Sequence, residues 1–144
     1  MRRPIVCATR GGQASRRTQE RAIALAKERD ADLIFLCVVD PDFAGPVDEE
    51  LEAALTDELQ RLGKCLLHIA EARADKQNVS TATVVQCGPV WESIEAYLHQ
   101  VNAGALVIGV PHTEAAIHPF GAEKVRQFLQ KLEQETDIEI IVVS

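Results

Sequence analysis

Two short stretches hold the residues best suited to bind an anion. The first, Thr9-Arg10-Gly11-Gly12, follows an apolar run and precedes a helix-forming segment. Its glycines can take positive φ and let backbone N–H groups converge on a phosphate at a helix start, where Arg10 adds a guanidinium. Arg16, Arg17 and Arg21 follow within three turns. The second stretch begins at Gly109, where the apolar run Ala105–Ile108 stops, and continues through Pro111 and His112 to Gly121. Open α/β sheets place ligands at the carboxyl ends of their strands, the position Gly109 would occupy. Two readings of the first loop stand side by side: an anion cradle, or a tight turn followed by a solvated basic helix face.

Other chemistry is thinner. Gly11, Gly12 and Ser15 match three positions of the S-G-G-x-D-S pyrophosphate loop of ATP-dependent adenylating enzymes, but Arg10 and Ala14 replace its first serine and its aspartate. His112 and His118 share a loop with Glu114, and Cys87 precedes it, at spacings that match no metal motif. Glu92 and Glu95 are a helical carboxylate pair without an acid or base partner. No Ser-His-Asp or Cys-His arrangement is visible, so the expectation is no catalytic residue and no metal. Cys7, Cys37, Cys65 and Cys87 form no CxxC pair and read as small core hydrophobes.

The elements that must position these loops follow from the apolar pattern. Pro4–Ala8, Asp32–Val39 and Ala105–Gly109 are continuous apolar runs, as expected for strands buried on both faces. Val79 to Gln86 alternates with polar residues and suits a sheet edge, and Ile138–Val143 is a fifth strand. Between them lie four helical segments: Arg16–Arg29 with Ser15 as N-cap, Asp48–Ala74, one opening at Pro89, and one carrying Val125, Phe128, Leu129 and Leu132. In the second, Leu51, Leu55, Leu59, Leu62, Leu66 and Ile69 recur at steps of four and three, so this stripe is expected to face the sheet and Gly63 to be a mild weakness. Strands and helices that alternate in this way predict one doubly wound, five-stranded parallel sheet of Rossmann-like type over residues 1–144.

Composition narrows the roles. A net charge of −7 argues against nucleic-acid binding through a general positive field. Residues 1–30 nevertheless hold eight Arg/Lys against three Asp/Glu, whereas residues 31–62 hold nine Asp/Glu against Arg61 alone, so the front end is locally basic and keeps a small anionic ligand in play. No apolar run reaches membrane-spanning length and none forms a signal-peptide core, so the expected compartment is the cytoplasm.

Element order and four segments together resemble the universal stress protein family over nearly the whole chain. Ile5-Val6-Cys7-Ala8-Thr9 with Gly11 is similar to the family's V-A-T-D-G, and Ala22 to Asp32 to its A-L-E-L-A-K-x-x-x-A-D. Gly88-Pro89-Val90-Trp91-Glu92-Ser93-Ile94 is similar to G-D-P-A-E-E-I, and Asn102 to Gly109 to A-D-L-I-V-M-G. The resemblance implies strand order 3-2-1-4-5, a homodimer, and in the members that bind ATP a nucleotide site between the ends of strands one and four. Those members carry an aspartate in the first loop and G-x2-G-x9-G-[ST] after strand four. Here Arg10 replaces the aspartate, His112 stands at the second glycine behind Pro111, and Gly121 comes one position early before Ala122. A β-carbon at His112 and the missing amide of Pro111 remove parts of a phosphate cradle.

The expected role is therefore a non-enzymatic stress-response or regulatory protein with a degenerate nucleotide site and an unidentified protein partner. ATP is disfavoured as a cofactor, and any remaining affinity for nucleotide or anion would fall to Thr9, Arg10, Gly11, Gly12, Gly109 and His112. In order 3-2-1-4-5 the fifth strand is an edge, and Ile138, Ile140, Ile141, Val142 and Val143 leave only Glu139 to discourage pairing. Two such strands are expected to meet across a two-fold axis, with Ile117 and Phe120 helping to cover the seam.

Overall fold

The computed structural model describes residues 3–9, 13–41, 47–109 and 122–143. Five strands, β1 (Ile5–Ala8), β2 (Leu33–Val39), β3 (Thr81–Cys87), β4 (Ala105–Gly109) and β5 (Glu139–Val143), alternate with α1 (Gln13–Arg29), α2 (Glu49–Lys76), α3 (Val90–Gln100) and α4 (Ala122–Glu135). All pairings are parallel, in the order β3-β2-β1-β4-β5. The doubly wound sheet and the β3 edge follow the sequence pattern, and β5 stands at the other edge, as the order implied by the resemblance places it.

Strand alternation sorts the core into two layers. Ile5, Cys7, Leu33, Phe35 and Val107 face one way and meet Ala22, Leu25 and Ala26 of α1 and Leu67 and Ala70 of α2. Val6, Leu36, Leu106 and Ile108 face the other way, against Ile94 and Leu98 of α3 and Val125 and Leu132 of α4. Each fully buried Leu, Ile or Phe here contributes roughly 1.5–3 kcal/mol by transfer from water. Asp30, Asn78 and Asn102, at φ 51°, 61° and 53°, end α1, α2 and α3 in the left-handed region. Ala31, Val79 and Ala103 then return N–H bonds to Ala26, Ala74 and Leu98, which satisfies carbonyls the helix ends would leave open.

Several local expectations change. Ser15 is not an N-cap: α1 starts at Gln13, and Ser15 is buried inside the first turn. Pro89 is the N-cap of α3 rather than its first helical residue. Val79 precedes β3 and is buried as it closes the end of α2. On α2 the sheet-facing line is Leu59, Gly63, Leu67, Ala70 and Ala74, while Leu51, Leu62 and Ile69 stay 48%, 55% and 50% exposed. The reason is Gly63: a β-carbon there would lie 3.4 Å from Val85 and 3.5 Å from Cys37. The helix therefore approaches β2 and β3 most closely at Gly63, and Leu51, Leu62 and Ile69 turn aside. Cys7 and Cys37 are core residues, but Cys65 and Cys87 are exposed, contrary to the packing role expected of all four.

Candidate functional site

Register places the strand ends that feed the two candidate loops side by side. Ala8 pairs with Ile108 across β1 and β4, so Thr9 and Gly109 leave the sheet as neighbours at its carboxyl end. This is the crevice where strand order reverses and doubly wound sheets hold ligands. Arg10, Gly11, Gly12 and His112 lie outside the described residues, as do Pro111, Glu114, Ile117, His118, Phe120 and Gly121.

Thr9 is buried and committed inward. Its N–H donates to the Leu36 carbonyl at 2.9 Å, and its hydroxyl accepts a bond from Gln19 Nε2 at 2.8 Å. Gln19 Oε1 in turn accepts from Arg73 Nη1 at 2.6 Å. A chain of polar contacts thus runs from the end of β1 through α1 to α2. Neither Gln19 nor Arg73 carries a signal in the sequence, because they meet only when both helices dock on one sheet face.

Gly109 has a steric role that its place in a phosphate motif would hide. A β-carbon there would come within 2.6 Å of Thr18 Oγ1, and Thr18 is buried in α1. The missing side chain is what lets α1 press against the end of β4.

The basic front end divides. At the opposite end of the sheet, Arg3 forms two 2.9 Å bonds to Asp137 and donates to the Ala103 carbonyl at 2.7 Å. Arg29 likewise grips Glu139 at 2.6 and 3.0 Å. These guanidiniums hold the Asp137 and Glu139 carboxyls below their ordinary range by hydrogen bonding first and charge second. Both arginines are therefore remote from the carboxyl ends of β1 and β4. Of the three nearer ones, Arg16 pairs with Glu20 at 3.0 Å on the exposed face of α1, and Arg17 and Arg21 are exposed. The first turn of α1 carries no acidic residue, which leaves the positive end of its dipole unopposed by its own side chains.

Nucleophile and metal chemistry find little support among the described residues. Burial pushes the Cys7 and Cys37 thiols up, away from the reactive thiolate. No cluster of three His, Cys, Asp or Glu side chains with metal-binding geometry occurs among the described residues. Glu95 faces Lys131 at 3.9 Å rather than a second carboxylate.

A profile described as the universal stress protein family matches residues 1–122. The chain belongs to that family. Its fold is similar to the universal stress protein UspA from Lactobacillus plantarum, at 17% identity and a TM-score of 0.77, over 99% of this chain and 97% of that one. It is also similar to a universal stress protein in complex with cAMP, at 18% identity and a TM-score of 0.71, over 99% and 97% of the two chains. The universal stress protein from Archaeoglobus fulgidus in complex with dAMP gives 18% and 0.63, over 99% and 98%. Among curated proteins no relative matches. No helix among the described residues is long and apolar enough to cross a membrane.

Proposed function

We propose that this universal stress protein is a non-enzymatic regulatory or adaptor protein of the cytoplasm, homodimeric through β5, whose nucleotide site has lost the family's usual ATP chemistry. The observation that carries this reading is Thr9: at the mouth of the crevice its hydroxyl is buried and held by Gln19, which Arg73 holds in turn. Arg10, His112 and Ala122 support it from the sequence, because each stands where the phosphate motif uses another residue, and Pro111 lacks an amide beside them. Nucleotide titration by calorimetry tests the proposal directly. ATP, cAMP and dAMP should give no binding heat at millimolar concentration, and mass spectrometry should find no nucleotide released from the purified protein. One-to-one binding of ATP with a co-purifying nucleotide would sink it.

A second reading keeps an anion at Arg10, Gly11, Gly12, Gly109 and His112. The acid-free first turn of α1 favours it, as does the likeness to structures holding cAMP and dAMP. Arg10→Ala should then abolish whatever heat the native protein shows. The adenylating-enzyme reading is weakened by Ser15, whose buried place within α1 leaves it ill-suited to a substrate phosphate. Release of pyrophosphate on ATP addition would restore that reading.

For the dimer, Glu139 N–H donates to Gly104 O at 3.0 Å. Strand alternation then turns the N–H groups of Ile140 and Val142 toward the open edge. Val142 is 49% exposed, whereas Ile138 is buried inside the protomer, so the seam would rest on Ile140 to Val143. Light scattering should return twice the chain mass; a monomer at micromolar concentration would refute this.

A further inference from the structure

The surface left unexplained by the crevice is the outer side of α2. At about 100° per residue, Leu51, Leu55, Leu62, Leu66 and Ile69 fall within about 60° of one another, and the sheet-facing line lies about 100° further round. Three of these five are about half exposed. The stripe looks toward α1, because Arg73, which shares it, reaches Gln19 of that helix. Beside its C-terminal half, α1 and α2 frame a groove of about 770 Å³. Ile23 and Ala24 line it with apolar surface, and Arg16, Lys27, Arg73 and Lys76 line it with positive charge. Glu20 and Glu28 also line it, Glu20 being already paired with Arg16.

Charge along α2 is polarised to match. From Asp48 to Glu58 there are six carboxylates and no cation; from Arg61 to Lys76 four Arg/Lys outnumber two carboxylates. The leucines are also arranged symmetrically. Leu51 and Ile69, Leu55 and Leu66, and Leu59 and Leu62 are nearly equidistant from a point between Gln60 and Arg61. A helix with this pattern is complementary to itself run antiparallel: apolar residues meet apolar residues and the acidic half meets the basic half.

We propose that α2 is a second self-association surface. Two copies pair their α2 helices antiparallel about a two-fold axis, and the acidic N-terminal half of each lies in the basic α1–α2 groove of the other. A 28-residue helix of roughly 42 Å far outruns a seven-residue strand of roughly 23 Å, and its first six residues, Glu49 to Ala54, are all exposed. The occupant is a second copy because this chain carries both halves of the complementarity. The surface lies over β2 and β3, across the sheet from β5. It can therefore act with a β5 dimer, giving a tetramer, or without one.

Sedimentation equilibrium tests this in a Val142→Pro background, where β5 pairing is removed, so failure of the β5 dimer does not affect the outcome. That variant should still dimerise. Glu49→Lys with Glu50→Lys, or Lys27→Glu with Lys76→Glu, should each weaken association at least about a hundredfold by setting like charges opposite one another. An equimolar mixture of the two reversed proteins should recover it, because each then offers the charge the other needs. Leu62→Lys should abolish association while circular dichroism stays native, since Leu62 is exposed. A monomeric Val142→Pro protein, or association indifferent to the charge reversals, or no recovery in the mixture, would overturn the proposal.

Discussion

Replacing Gly109 with alanine separates packing from ligand binding at the crevice. The new β-carbon would sit 2.6 Å from Thr18 Oγ1 and 3.8 Å from both Thr18 Cβ and the Val143 carbonyl. Only the first contact is shorter than atoms tolerate, and Thr18 is a buried, β-branched residue with little room to turn. Relief requires an off-rotamer threonine or a small retreat of α1, a change that costs about 1–3 kcal/mol in packed cores. Taking ~2 kcal/mol, the melting temperature should fall by about 6 °C for a chain of this size. Thr18→Ala removes the offending oxygen and leaves the 3.8 Å carbon contact, which is ordinary. In that background Gly109→Ala should cost less than about 0.5 kcal/mol, giving a favourable coupling of at least ~1 kcal/mol in a double-mutant cycle read by urea denaturation. Additive losses, or an unperturbed Gly109→Ala protein, would refute the steric account of this glycine.

Three further outcomes follow from the same structure. Gly63→Ala should stabilise by about 0.5–1 kcal/mol through helix propensity, since its β-carbon finds only ordinary contacts at 3.4–3.5 Å, whereas Gly63→Leu should destabilise; thermal melts separate the two. The Glu139 carboxyl is held low in the folded protein, so its pairing with Arg29 supports stability above the carboxylate's unfolded value of ~4.3 and is lost as pH falls further. Both side chains are half exposed, so Glu139→Gln should remove only ~0.5 kcal/mol at neutral pH and flatten the acid limb of urea midpoints against pH; an unchanged limb would contradict the assignment. Val142→Pro should abolish the β5 dimer while circular dichroism stays native, because proline on an edge strand sacrifices only the outward N–H; loss of the native spectrum would mean that this N–H faces β4.

The sequence by itself determined the elements and the class of fold. Unbroken apolar runs at Ile5–Ala8, Leu33–Val39 and Ala105–Gly109, with helical spacing between them, admit a parallel sheet covered on both faces and little else. The polar alternation of β3 marked it as an edge. Local chemistry also made the crevice visible, because glycines at strand ends are a property of the chain itself.

What tertiary structure decided is how those parts are used. Whether Gly109 serves a phosphate or a helix depends on the distance to Thr18, which lies far earlier in the chain and beyond the reach of any periodicity. Thr9, Gln19 and Arg73 meet only after α1 and α2 dock on the same face, and Arg3 and Arg29 find their carboxylates more than a hundred residues downstream. The stripe on α2 shows the limit most plainly. Periodicity identifies an apolar side, but it does not say which part of that side meets the sheet. Gly63 decided that, because the close approach it permits turns Leu59 and Leu67 to the sheet and leaves Leu51, Leu62 and Ile69 exposed.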